Sequence, residues 1–365
     1  MSVIIFLIIL AILVLVHEFG HFIVAKRSGI RVDEFGLGFP PKLYGKKWNG
    51  TEYTLNMVPF GGFVKIFGED PHVDEIKPAE KSRSFFYKPK WIQAFVLVAG
   101  VTMNILFAWL VLSFGFMIGM PSSADYSGFG RVSGIHLTVT TVLPDSPAQK
   151  AGIISGDSIL YVQEGTSFLQ NSDLTAENVS KLISESDGSI LMTYQRGKNV
   201  PASVYVDPVM NEEAGRKIIG ISMDEVGTLK LSLPLALIEG ARTTYLMTRE
   251  TVSGISHFLW QSFQFKSDLS QVSGPVGIAN VVGEANSLGF TYLLSLIALI
   301  SINLAVINLL PFPALDGGRL LFVVIEAVTR RKISKTFVRW ANFLGFFLLL
   351  TLMAVVTVHD IIKLF

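Results

Sequence analysis

Two imidazoles and a carboxylate interrupt an apolar run near the start of the chain. In "LVLVHEFGHFIVAKR", His17, Glu18 and His21 stand between Val14, Leu15 and Val16 and the apolar residues that resume through Ala25. On a helix, His17 and His21 lie on one face a single turn apart, so a nitrogen from each can reach one ion. Glu18 lies about 100° around the helix from His17. That is close enough to touch a metal-bound water without being a ligand. The pattern serves hydrolysis: zinc lowers the pKa of its water toward about 7, and the carboxylate removes the proton. Chance produces H-E-x-x-H in roughly one chain in a hundred of this length, so placement must carry the argument. An ionisable group at mid-membrane costs about 2.5–3.5 kcal/mol even on a lenient scale, and those retained there usually face a cavity and have a function.

Two histidines do not complete a hydrolytic zinc site, which usually has three protein ligands and an open position. The chain has no cysteine, so the third ligand must be His, Asp or Glu. The stretch "NLLPFPALDGGRL" offers Asp316. Pro311 and Pro313 cannot continue a regular helix, so the apolar segment before them should unwind there. Gly317 and Gly318 allow a tight backbone that turns Asp316 inward. The competing use of Asp316 is to cap a helix running from Gly318. His72, His136, His257 and His359 fall in loops or at segment edges, and none is assigned to the metal.

The surroundings of these residues are largely hydrocarbon. Half of the residues are hydrophobic and the mean hydropathy is +0.50, which puts the membrane class first. A net charge of +1 gives no sign of a nucleic-acid partner. Residues 3–25, 92–117, 290–310 and 341–358 are each apolar over about the 20 residues a bilayer span needs. The first lacks the basic start and small-residue cleavage site of a secretory signal. Lys26, Arg27, Arg31, Lys42, Lys46, Lys47, Lys88 and Lys90 crowd the connection between spans one and two. Arg319, Arg330, Arg331, Lys332, Lys335 and Arg339 crowd that between spans three and four. Both connections read as cytoplasmic, which leaves both termini and the segment 122–287 outside. His17, His21 and Asp316 then share a depth on the cytoplasmic side.

The outer segment changes character. Strand-like runs fall at 137–143, 158–162, 190–195 and 202–207, and a helix is expected over 175–186 with Thr175 as its cap. "TVLPDSPAQKAGIISGDSIL" combines a strand, a short helix, a glycine turn and a second strand, and 130–208 resembles a PDZ domain. Such domains bind extended peptides by adding a strand to a sheet edge. "GLGF" at 36–39 mimics their carboxylate loop but lies in a cytoplasmic connection. The pattern over 235–263 is that of an amphipathic helix, either at the outer membrane surface or packed on the soluble domain.

Residues 51–69 are too broken for a fifth span. Tyr53, Leu55 and Met57 alternate with polar residues before Gly61, Gly62 and Phe63, which reads as a β-hairpin dipping toward the site. Open strand edges cannot face lipid, so protein or a cavity must cover them. Its edge either receives an unwound substrate or belongs to an ordinary packed turn. Asn104 follows Gly100 by one helical turn in the second span, a spacing suited to close helix packing or to contact with substrate or an oxyanion.

Together these features resemble the site-2 proteases, nearest to the RseP-type bacterial intramembrane metalloproteases. The resemblance rests on "HEFGH" in the first span, "NLLPFPALDGG" after the third and a PDZ-like insert between the second and third. "VPFGGFVKIFGED", "GVTMNILFAWL" and "VSGPVGIANVV" extend it along nearly the whole chain. It implies that His17, His21 and Asp316 bind Zn2+, that Glu18 is the catalytic acid and base, and that Asn303 and Asn308 help hold substrate or water. It also implies a bacterial inner-membrane enzyme that cuts transmembrane segments after a first cut elsewhere, with anti-sigma factors and signal-peptide remnants as substrates. Better-known members carry two tandem PDZ domains; only one such pattern is present here.

The expected architecture is a multi-span α-helical membrane protein of about four helices, with a membrane-associated β-hairpin and an inserted α/β PDZ domain. Its parts would be a first membrane half (1–121), the PDZ-like domain (122–210), a connector (211–287) and a second membrane half (288–365). A metal-ion transporter and a non-catalytic PDZ scaffold are the rival functions. A transporter needs no base at Glu18, and a scaffold needs neither H-E-x-x-H nor Asp316.

Overall fold

The computed structural model describes residues 2–69, 77–211, 215–264 and 274–362. Helix α1 (Ser2–Arg27) is one uninterrupted rod of 26 residues. It ends where Gly29 takes φ +68°, and the amides of Gly29 and Ile30 reach back to the carbonyls of Lys26 and Ala25. That left-handed glycine stop satisfies two of the helix's orphan carbonyls and turns the chain into a sheet. Strands β1 (Val32–Trp48) and β2 (Thr51–Ile66) then meet at an Asn49-Gly50 turn with φ 47° and 75°. An Asn-Gly pair with both φ positive is the preferred two-residue hairpin turn.

This hairpin is larger than the one expected over 51–69. Phe35 partners Tyr53 and also Val64, and Gly36 partners both Thr54 and Phe63. The two halves of β2 therefore flank residues 34–37 instead of pairing with each other. Gly36 and Leu37 of the "GLGF" run belong to this inner strand. Gly36 is needed there because a Cβ would strike the Phe63 ring, 2.7 Å away at Cζ.

Helix α2 (Lys90–Ile118) is the second apolar helix. Next come β3 (Met120–Ser123), β4 (Val132–Val142), the short α3 (Pro147–Lys150), β5 (Ser158–Glu164) and β6 (Ser167–Gln170). They are followed by α4 (Ala176–Glu185), β7 (Ile190–Gln195), β8 (Ala202–Val206), β9 (Val209–Asn211), β10 (Arg216–Ile218) and β11 (Ile221–Leu229). The chain finishes in α5 (Leu233–Phe263), α6 (Pro275–Leu288), α7 (Phe290–Leu309), α8 (Asp316–Thr329) and α9 (Lys335–Ile362). Helices α1, α2, α7 and α9 are long and apolar enough to cross a membrane, and this is a membrane protein.

The chain divides into two compact units. One takes in Met1–Val111, Ala241–Val282 and Ile297–Phe365, and holds α1, the β1–β2 sheet, α8 and α9. Its core under the sheet joins Ala25, Ile30, Val32, Ile66, Val96 and Leu97. The other unit, Leu112–Gly240 with Gly283–Leu296, is built on a seven-stranded sheet in the order β3-β11-β4-β5-β7-β8, with β6 beside β5. Val139, Val162, Val179 and Ile190 are wholly buried between sheet and helix. Thr175 caps α4 as expected, accepting the Asn178 amide at 3.2 Å, and Ser146 caps α3 in the same way. The sheet runs past residue 210: β11 lies between β3 and β4. The sequence concealed that strand because Asp224, Glu225, Gly227 and Thr228 break its apolar alternation.

Candidate metal centre

Helix α7 stops at Leu309, just before the two prolines, and α8 starts at Asp316 itself. The intervening loop is pinned where Asn342 accepts the Ala314 amide at 3.1 Å. The sharp backbone expected at Gly317 and Gly318 falls instead at Ala314, with φ 75°. The two glycines are helical, and they are small because the carbonyls of Leu309, Leu310 and Phe312 press on them. Leu315 makes no side-chain cap for α8. The Asp316 carboxylate is turned instead toward the two histidines, with Oδ2 2.9 Å from His17 Nε2 and 3.2 Å from His21 Nε2.

The two Nε2 atoms stand 3.2 Å apart. One donor atom from each of the three residues can be chosen so that all lie within 4.8 Å of one another. Nitrogens held about 2.0–2.1 Å from zinc at tetrahedral angles stand about 3.3 Å from each other, so this donor set fits that ion. Both imidazoles are almost fully buried, and Asp316 is partly open. Helix α2 leaves room for them: a Cβ on Gly100 would collide with both rings, 2.7 Å from His17 Nε2. The outward nitrogen of His21, Nδ1, lies 2.8 Å from the Val96 carbonyl. That contact was missed from the sequence. Its only trace there is the placement of Val96, Gly100 and Asn104 one turn apart along one helix face.

A cavity of about 210 Å³ opens on this cluster, bordered by His17, Glu18 and Asp316. Val14, Leu304, Asn308, Ala314 and Leu315 complete its wall. Glu18 thus shares a space with the donor atoms while standing outside their set, and α1, which carries it, packs on β2. Gly61 on that strand lies against Val14, with 3.5 Å between its Cβ position and Val14 Cγ1. Gly62 faces the Gly36 carbonyl, and Phe63 stacks on Phe39 at 6.3 Å between ring centroids.

The three asparagines separate. Asn308 borders the cavity. The Asn303 side-chain oxygen accepts from Thr251 of α5 at 3.2 Å. Asn104 is fully buried behind His17, its Nδ2 3.3 Å from Nδ1. His136, His257 and His359 are absent from the metal cluster, and His72 lies outside the described residues.

Residues 5–352 match peptidase family M50. A candidate zinc metalloprotease of Clostridium perfringens is 36% identical over 96% of this chain and 95% of its own. The zinc metalloprotease RasP of Geobacillus kaustophilus is 30% identical over the whole of this chain and 98% of its own. The regulator of sigma-W protease RasP of Bacillus subtilis is 29% identical over the whole of this chain and 99% of its own. Because the match runs through both the histidine helix and the aspartate loop that meet at the cavity, the chain belongs to peptidase family M50, the site-2 proteases, as a membrane metalloprotease with zinc as its cofactor.

Proposed function

We propose that the chain is an intramembrane endopeptidase that hydrolyses transmembrane segments of other membrane proteins after an earlier cut has shortened them. The observation that carries this reading is the gathering of His17, His21, Asp316 and Glu18 around one cavity beside helices of membrane-spanning length. His17 and His21 through Nε2, and Asp316 through Oδ2, would hold the ion. Zinc bound there supplies a Lewis acid that polarises a carbonyl and makes water acidic enough to lose a proton near neutral pH. Glu18 takes that proton as general base and returns it to the departing amide nitrogen as general acid. Asn308, on the cavity wall, offers its amide to the substrate backbone, and Asn303 steadies the same span through Thr251.

A helix hides its peptide bonds, so the substrate must be extended where it is cut. Gly61, Gly62 and Phe63 supply a strand beside α1, to which an unwound segment adds as a further strand. The packing of α1 on β2, with Gly61 against Val14, supports this placement of the strand beside the base. The Lys/Arg bias supports an inner-membrane orientation with both termini and the β-sheet unit outside and the cavity toward the cytoplasm. That outer unit, read as a PDZ-like domain, admits or excludes substrates. Membrane-bound regulators of the anti-sigma type and signal-peptide remnants fit a protease that accepts trimmed single spans. The name of the Bacillus subtilis relative, a regulator of sigma-W protease, supports the first class.

The test is to incubate purified protein with a trimmed single-span substrate and map the products by mass spectrometry. A zinc-dependent cut inside the apolar span is expected. Cutting confined to flanking soluble residues would overturn the intramembrane reading.

A further inference from the structure

A histidine that gives Nε2 to a cation keeps its proton on Nδ1, so Nδ1 must donate a hydrogen bond. His21 meets this condition, because the group 2.8 Å from its Nδ1 is the Val96 carbonyl oxygen, which can only accept. His17 does not meet it with the Asn104 amide in this orientation. Its Nδ1 faces the side-chain nitrogen of Asn104 at 3.3 Å, and an amide nitrogen can only donate. That pairing would place the ring proton on Nε2, the atom aimed at Asp316. The side-chain oxygen of Asn104, meanwhile, is buried and meets no donor. An orphaned buried acceptor costs about 1–3 kcal/mol. One half-turn of the amide about its last torsion exchanges two atoms of nearly the same size, and it presents the orphaned oxygen to His17 Nδ1.

We propose that Asn104 is a positioning residue for the metal ligand His17: its side-chain oxygen accepts the Nδ1 proton and leaves the Nε2 lone pair free for the ion. This rests on the reading of His17 as a ligand, and it moves Asn104 from the substrate side of the site to the far side of the imidazole. The residue is well held for the task. It is fully buried, and its backbone carbonyl accepts from Ser301 of α7 at 2.8 Å. Val96, Gly100 and Asn104 occupy successive turns of one face of α2, opposite His21, both rings, and His17. Helix α2 thus gives no ligand but fixes the proton on each of the two imidazoles, with a backbone carbonyl for one and a neutral amide for the other. An amide serves here because it accepts a hydrogen bond without burying a charge.

The test is the zinc dissociation constant of the full-length protein in detergent, measured against a competing chelator, with thermal unfolding of the metal-free form as a folding control. Asn104→Leu keeps the size and removes the acceptor; zinc should bind about 10–100-fold more weakly, the usual loss for an outer partner of a ligand. Asn104→Asp keeps an acceptor and should bind zinc nearly as tightly as the wild type. In zinc-loaded wild type labelled with 15N-histidine, the His17 Nδ1 signal should be that of a protonated ring nitrogen. Wild-type affinity in the Leu variant, or equal losses in the Leu and Asp variants, would overturn the positioning role while leaving the metal site standing. A wild-type protein that binds no zinc would overturn both.

Discussion

His17 Nε2 stands 2.9 Å from Asp316 Oδ2, although 299 residues separate them along the chain. Neither residue can arrange this meeting alone. The histidine is fixed by a long helix that Gly20 and Gly100 allow close to α2, and the aspartate by a loop that two prolines force out of helical geometry.

Gly100→Ala should damage the site without unfolding the protein. The added methyl would lie 2.7 Å from His17 Nε2, so one or both rings must leave their positions. Zinc content by elemental analysis should fall sharply. Overpacking should also cost the metal-free protein about 1–3 kcal/mol. Full zinc occupancy in this variant would mean that the two helices do not approach as closely as described.

In the β-sheet unit, Asp157 is wholly buried and is held by Arg196 through both oxygens, at 2.8 and 2.7 Å. Arg196→Met should strand that carboxylate and cost about 3–5 kcal/mol. Earlier proteolytic nicking of residues near 157 and 196 on heating is the readout. Adding Asp157→Asn should recover part of the loss, since the uncompensated charge is then gone.

Much of this fold was readable because apolar length and caps are local properties. All four spans and the Thr175 cap are governed by residues within a turn or two of each other. The pairing of H-E-x-x-H with Asp316 was readable for a different reason: a hydrolytic zinc site needs a third protein ligand, the chain has no cysteine, and Asp316 follows an apolar segment that two prolines break. What stayed hidden depends on partners far away in sequence. The placement of residues 34–37 between the two halves of β2 cannot be read from the local sequence, because their partners on one side lie near 52–55 and on the other near 62–65. Nor can the role of Asn104, which appears only once α2 is known to pass His21 and then His17. Gly317 and Gly318 were singled out correctly for the wrong cause, since close carbonyls exclude their Cβ atoms while Ala314 carries the positive φ.

The orientation can be checked one residue at a time, because the chain has no cysteine to remove first. A cysteine at Lys46 or Lys332 should react with an impermeant thiol reagent only after the cells are opened. One at Ser172 should react in intact cells. Labelling of position 46 from outside would reverse the proposed topology.

Ser123 and Val226 are cross-strand partners, so residues 124–225 can be replaced by a short join between them. If the sheet unit filters substrates, the shortened protein should cut untrimmed substrates that the full chain refuses. If the unit only braces the helices, activity should fall on trimmed and untrimmed substrates alike. An unchanged preference for the trimmed form would remove the filter from the account.

The central claim is that Glu18 moves the proton while His17, His21 and Asp316 hold the ion. Glu18→Gln is nearly isosteric and removes only the base. The direct measurement is paired zinc content and cleavage of a trimmed single-span substrate in wild type and this variant. The account predicts zinc at the wild-type level and no cleavage. Cleavage near the wild-type rate with the zinc retained would contradict it.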